Sequence, residues 1–122
     1  MMCAKQKQFP QSKEEGLRGL PAMKIFTSEL CHYSVNKATV IMGLGRDSIV
    51  NVRTDKNGRM IADDLEEKVH QERAKGNHAL MVNATVGTTV MGSIDPVKEI
   101  SDICNRNKLW LHVDAALGGS LY

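Results

Sequence analysis

Leu109-Trp110-Leu111-His112-Val113-Asp114-Ala115-Ala116 joins a mostly apolar run to a carboxylate and then to two alanines. A short run of this kind reads as a buried strand, and an unpaired carboxylate buried at its end costs several kcal/mol or more. Asp114 therefore requires a cationic or hydrogen-bonding partner. In parallel α/β sheets, ligands sit beyond the carboxyl ends of the strands, and small residues there leave room for a flat group. The partner of Asp114 is then either a structural ion pair or cap, or a ligand.

Working outward from that strand, three further apolar segments recur at similar intervals, at residues 23–27, 48–52 and 79–84. Each is followed by a polar or helical stretch, which predicts an α/β fold with a parallel or mostly parallel sheet and flanking helices. Between the first two strands, Val35, Ala38, Ile41 and Met42 fall on one helical face, with Gly43 and Gly45 as the stop. A second helix carries Asp63, Asp64, Glu66 and Glu67 at its start and Arg73 and Lys75 near its end, which complements the helix dipole. Its buried side is marked by Leu65 and Val69. The third takes Asp95 as N-cap and Pro96 as first helical residue, and turns Val97, Ile100, Ile103 and Cys104 inward. Asn57-Gly58 predicts a tight turn, since that pair favours positive φ. Residues 1–22 read as a helix tail and a connecting loop.

Composition narrows the function classes. The chain has 122 residues, 42% hydrophobic and 25% charged, which is the make-up of one ordinary globular unit with a small core. A net charge of +2, without a basic face carrying aromatics, gives no reason to expect nucleic acid. No apolar run approaches the roughly 20 residues that span a bilayer, and residues 1–11 lack the apolar core of a signal peptide. Cys3, Cys31 and Cys104 are odd in number and widely spaced, which fits buried free thiols in a reducing, cytoplasmic setting.

Three segments past strand ends can carry chemistry: 28–34, 85–92 and 114–120. Thr85-Val86-Gly87-Thr88-Thr89 mixes hydroxyls, glycine and backbone amides, so it serves either as an ordinary turn or as an anion and polar-edge binder. His32 can stack on a planar cofactor, titrate as an acid or base, or simply cap a helix. His70, His78 and His112 have no metal-like spacing with one another or with the cysteines, so no zinc site is expected. Gly43-Leu44-Gly45 lacks the third glycine of a dinucleotide loop, no P-loop Gly-Lys-Ser or Gly-Lys-Thr is present, and no serine sits in a nucleophile elbow. Spacing alone leads to an anion or planar-cofactor pocket.

Taken together, Cys31-His32-Tyr33-Ser34, Asn83-Ala84-Thr85-Val86-Gly87-Thr88-Thr89-Val90, Ile94-Asp95-Pro96 and residues 109–116 closely resemble the pyridoxal-phosphate-dependent group II amino acid decarboxylases, in the glutamate and cysteine sulfinate branch. The likeness runs from about Phe9 to Tyr122. It implies the central part of the large domain of a fold-type I pyridoxal-phosphate enzyme, residues 1–122 being a partial domain truncated at both ends. It also implies a homodimer, pyridoxal 5′-phosphate as cofactor and an acidic amino acid as substrate. By position in the motifs, Asp114 pairs with the protonated pyridine nitrogen, His32 stacks on one ring face as a catalytic and cofactor-binding residue, Ala116 packs on the other, and Thr89 hydrogen-bonds near the cofactor.

Departures from the family pattern are equally informative. The family's cofactor-linking lysine lies in an Asn-Pro-His-Lys segment, and no lysine follows Lys108 here. The family's phosphate-gripping Gly/Ser loop is likewise missing. Leu117 replaces the usual Trp or Tyr, and Ser93-Ile94 replaces Ala-Phe. Cys31, Leu44-Gly45 and Gly118-Gly119-Ser120 favour cysteine sulfinate as substrate, whereas Asn83 favours glutamate. The expected function is a fragment of an acidic amino acid α-decarboxylase that is inactive alone; the alternative is a non-catalytic product that associates with a full-length subunit or another partner.

Overall fold

The structure, a computed structural model, describes residues 1–87 and 92–116. Four strands form one sheet: β1 (Met23–Ser28), β2 (Ile49–Val52), β3 (His78–Thr85) and β4 (Trp110–Asp114). Their order is β2-β1-β3-β4, and every neighbouring pair is parallel. Parallel neighbours need crossovers, which here are the helices α3 (Ser34–Ile41), α4 (Ala62–Ala74) and α5 (Val97–Asn107). Two shorter helices, α1 (Met2–Gln8) and α2 (Ser12–Glu15), precede the sheet. Among the described residues no helix is long and apolar enough to cross a membrane.

Helices cover both faces of the sheet, so its inner strands are apolar on both sides. On one face, Leu65 and Val69 of α4 and Ile100, Ile103 and Cys104 of α5 pack on Phe26, Val52, Val82 and Ala84. On the other, Ala4 of α1 and Val35 of α3 pack on Met23, Ile25 and Met81. Strand order reverses between β1 and β3: from β1 the chain adds β2 on one side by way of α3 on one face, and from β3 it adds β4 on the other side by way of α5 on the opposite face. The crevice past the carboxyl ends of these two strands is the switch point where open α/β sheets bind ligands.

The strand and helix expectations hold to within about two residues at most ends, and four details differ. β4 is an edge strand, not a buried one: His112 is exposed and Val113 keeps 38% of its surface in solvent. Among the described residues only its β3 flank has a pairing partner, so apolar composition did not translate into burial. On α3 the buried residues are Val35 and Thr39, whereas Ile41 is 84% exposed at the helix end. Residues 1–22 hold two short helices instead of a helix tail and loop, with Gln8 Nε2 donating to the Leu80 carbonyl at 2.8 Å.

Asp95 is the fourth difference. It does not cap α5, whose N-cap is Pro96 without a side-chain bond. Its carboxylate instead accepts the backbone N–H groups of Met60 and Thr85, each at 2.8 Å. The turn at Asn57-Gly58 forms as expected, with Gly58 at φ 78° and Asp55 accepting the N–H groups of Asn57 and Arg59.

Candidate cofactor site

Asp114 ends β4 directly beside Thr85, its register partner at the end of β3. The Val86 N–H donates to the Asp114 carbonyl at 2.8 Å, which extends the ladder one step past the strand. Asp114 is half-buried, not fully buried as its strand suggested, because β4 lies on the edge. One carboxylate oxygen, Oδ1, accepts the Ala116 N–H at 3.2 Å. Among the described residues no cationic side chain pairs with it. The partner demanded by the sequence is thus partly a local backbone amide.

A cavity of about 230 Å³ opens in front of this carboxylate. Its lining joins three parts of the chain: Met81, Asn83, His112 and Asp114 from the sheet, Ser34, Val35 and Ala38 from α3, and Met1. Strand alternation explains the sheet contribution, since Asn83 pairs with His112 in register and His112 lies two residues before Asp114. The Asn83 amide donates to Thr27 Oγ1 at 3.3 Å, carrying the polar row across to β1. The Thr85 hydroxyl is buried without a hydrogen-bond partner among the described residues.

His32 stands in the loop after β1, just before α3, and is exposed. Its Nδ1 accepts the Ser34 N–H at 3.1 Å, and its ring lies tilted against Tyr33 at 4.1 Å between centroids. The capping role open to a histidine here is therefore realised, and it fixes Nε2–H as the tautomer of the neutral ring. His32 is not among the residues lining the cavity of Asp114. Ala116 follows Asp114 closely and is exposed, with Ala115 half-buried between them. Thr89 lies outside the described residues, as do Thr88, Leu117, Gly118, Gly119 and Ser120. The structure thus brings Asp114 together with the start of α3, and it leaves His32 in the preceding loop, outside the cavity lining.

Sequence reasoning did not name Ser34, Asn83 and His112 as a group. The period-two spacing of His112 and Asp114 was a readable signal. The lateral meeting of β3 with β4 was not, because it depends on register.

The set fits a flat cationic heterocycle: a carboxylate at the carboxyl end of β4 with one oxygen unbonded among the described residues, in a cavity that mixes apolar Val35, Ala38 and Met81 with polar Ser34 and Asn83. Asp95 braces the same edge from the other side, between Met60 and Thr85. Burial raises its carboxyl above the usual 3.8, against the lowering effect of the two amides that bond it.

Comparison with known proteins assigns this arrangement to a family. The model of the pyridoxal-dependent decarboxylase conserved domain matches residues 1–122. The chain is 48% identical over 118 residues to cysteine sulfinic acid decarboxylase of Rattus norvegicus, covering 97% of this chain and 24% of that protein. It is 49% identical over 120 residues to acidic amino acid decarboxylase GADL1 of Homo sapiens, covering 98% and 23%. The chain thus spans about a quarter of the length of these curated relatives.

Among solved structures, mouse CSAD in apo form superposes with a TM-score of 0.95 at 47% identity, covering 97% of this chain and 25% of the other. Oryza sativa TDC with PLP and tryptamine superposes with a TM-score of 0.81 at 27% identity, covering 92% and 23%. The parallel sheet, the carboxylate at the carboxyl end of β4 and the match across the whole length agree: the chain belongs to the pyridoxal-dependent decarboxylase family.

Proposed function

We propose that this chain is part of the cofactor-binding large domain of a decarboxylase that removes the α-carboxyl of an acidic L-amino acid, with pyridoxal 5′-phosphate as cofactor. Cysteine sulfinate, glutamate and aspartate are the candidate substrates, and the two curated relatives above, one named for cysteine sulfinic acid and one for acidic amino acids, support that class. The observation that carries the reading is the Asp114 carboxylate opening on a cavity shared with the start of α3.

When bound, pyridoxal phosphate supplies an electron sink for the charge left on Cα as CO2 departs. Asp114 would hold the proton on the pyridine nitrogen that this sink requires, since a nearby carboxylate favours the cationic form by about 1.4 kcal/mol per pKa unit. His32 would stack on one face of the ring and Ala116 would pack on the other, which keeps the breaking bond aligned with the π system. Thr89 is assigned a hydrogen bond near the cofactor. Cα regains a proton, and the products are CO2 and the amine.

The chain spans about a quarter of the length of its curated relatives, so the complete reaction is proposed for a protein of their length, a cytoplasmic homodimer, and not for these 122 residues. Alone, the chain should bind pyridoxal phosphate without fixing it at a defined lysine. Titration of the chain with pyridoxal phosphate tests this: Asp114→Asn should weaken binding at least about tenfold, the cost of losing roughly one pKa unit of pairing. Equal affinity for the wild type and Asp114→Asn would sink the assignment. So would a visible absorbance band removed by borohydride and traced to one lysine of this chain.

A second reading rests on a different observation. Among the described residues the edge strands β2 and β4 have no outer pairing partner, and Val40, Ile41 and Val113 are exposed. Unpaired edges and apolar patches favour association, so the chain alone can act as a non-catalytic subunit partner. Co-purification with a full-length homologue supports that reading; a soluble monomer that binds no subunit counts against it.

A further inference from the structure

The Thr85 hydroxyl is one of two buried side-chain oxygens without a hydrogen-bond partner among the described residues; the other is Ser12 Oγ in α2. Buried hydroxyls are bonded in nearly every folded chain, so each exception calls for a cause. Loose placement is not the cause here. Thr85 is 4% exposed, its N–H donates to Asp95 Oδ2 at 2.8 Å, and its carbonyl accepts the Asp95 N–H at 2.9 Å. Both backbone groups are held, and the side chain alone is left without a bond.

Strand alternation puts that hydroxyl on the side of the candidate site. Thr85 follows Met81 and Asn83 at two-residue steps along β3, and both of those line the cavity that opens at Asp114. Val82 and Ala84 take the opposite face and pack in the core with α4 and α5. Laterally, Thr85 pairs in register with Asp114, and the next residue, Val86, donates its N–H to the Asp114 carbonyl at 2.8 Å. The unpaired hydroxyl therefore belongs to the same strand-end row as the carboxylate.

We propose that Thr85 is a ligand-binding residue of this site, whose hydroxyl finds its hydrogen-bond partner in a polar group of the bound ring and not within the chain. The proposal rests on reading the cavity as the cofactor site, and it adds a contact from β3 to the carboxylate of β4. An apolar side chain of the same shape at position 85 would strand no polar atom, so the hydroxyl lowers the stability of the chain without ligand. With ligand bound, the missing bond is made. Stability and affinity thus depend on one oxygen with opposite signs, as at sites where function opposes stability.

Thr85→Val removes the hydroxyl and keeps the shape, and two measurements on the 122-residue chain test it. Without ligand, the urea midpoint should hold or rise relative to wild type. A fall means that the hydroxyl is already bonded, to an ordered water for instance, and overturns the proposal. The second measurement uses pyridoxine 5′-phosphate, which has the ring and phosphate but no aldehyde for lysines to capture. Its affinity should drop about fivefold or more in Thr85→Val, the worth of one hydrogen bond. Equal affinity overturns the proposal.

Thr85→Ser keeps a hydroxyl and should bind within about twofold of wild type; binding as weak as that of Thr85→Val overturns the role. Ser12→Ala removes the other unpaired hydroxyl and should leave affinity unchanged. An equal loss there would tie affinity to folding and not to the site, which also overturns it. Asp114→Asn separates the proposal from the reading beneath it. Weakened binding by Asp114→Asn beside unaffected Thr85→Val removes Thr85 alone from the site. Unaffected Asp114→Asn, or no binding to wild type, removes the cofactor reading and this proposal together.

Discussion

The Asp95 carboxylate accepts the Thr85 N–H at 2.8 Å, so the residue paired with Asp114 across the sheet is gripped by a side chain from the following loop. The same carboxylate takes the Met60 N–H, and the Asp95 N–H returns a bond to the Thr85 carbonyl at 2.9 Å. Three segments of the carboxyl edge thus meet on one side chain that is 1% exposed.

Asp95→Ala should lower stability by about 2–4 kcal/mol, because it strands two buried amides that each need an acceptor. Asp95→Asn should cost less, as its amide oxygen can replace one acceptor. Urea unfolding monitored by Trp110 fluorescence measures both. A loss below about 0.5 kcal/mol for the alanine variant would contradict the bridging role.

Ile100 is fully buried between α5 and the sheet. Truncation to alanine removes packing and leaves a cavity, for an expected loss of about 2–5 kcal/mol. Ile41→Ala, at an 84% exposed site, should change stability by less than about 0.5 kcal/mol. The contrast between the two variants in one denaturation series checks the core assignment; equal losses would refute it.

Cys104 faces the core beneath α5, and burial pushes its thiol up to about 11. Thiolate is the reactive form, so Cys104 should resist a thiol reagent in the folded chain at neutral pH, whereas exposed Cys3 should react at once. Mass spectrometry of labelled peptides reads both sites. Labelling of Cys104 should appear only as denaturant opens the fold.

Two groups give acid sensitivity in separate windows. His78 is held below 6.5, first by burial and then by Arg73, and it contacts Gln8 and Phe9 of the N-terminal segment. A lowered histidine binds fewer protons folded than unfolded, so its contribution is present above 6.5 and is lost as pH falls below that value. Amide exchange in α1 should quicken under mild acid, and His78→Gln should suppress the change.

Asp64 acts at lower pH. Burial raises its carboxyl, but bonds from Arg53 and Lys68 outweigh that and hold it below 3.8. Its contribution is present above 3.8 and disappears as pH falls through the depressed value. Asp64→Asn should lose stability at neutral pH yet show a shallower acid transition by circular dichroism; an unchanged transition would argue against the ion pair.

Local sequence carried much of this molecule. Apolar runs set the four strands, the charge order of residues 63–75 set α4, and Asn57-Gly58 set its turn, since each depends on backbone propensity and neighbours a few residues apart. The carboxylate closing β4 marked a candidate site for the same reason. Burial was less legible: Val113 and Ile41 are apolar yet exposed, because their surroundings depend on which strand is an edge and where a helix stops.

Aspartate 95 was misread as a cap because its two amide partners, Met60 and Thr85, are 35 and 10 residues away. His112 passed as an isolated histidine until register set it beside Asn83 and in one cavity with Asp114 and α3. By itself, the sequence determined the element types, the parallel α/β plan and the carboxylate at which the candidate site was sought. Tertiary structure decided which residues surround that carboxylate and how far each is shielded from water, because register, edge position and crossover side are set by contacts between segments distant in the chain.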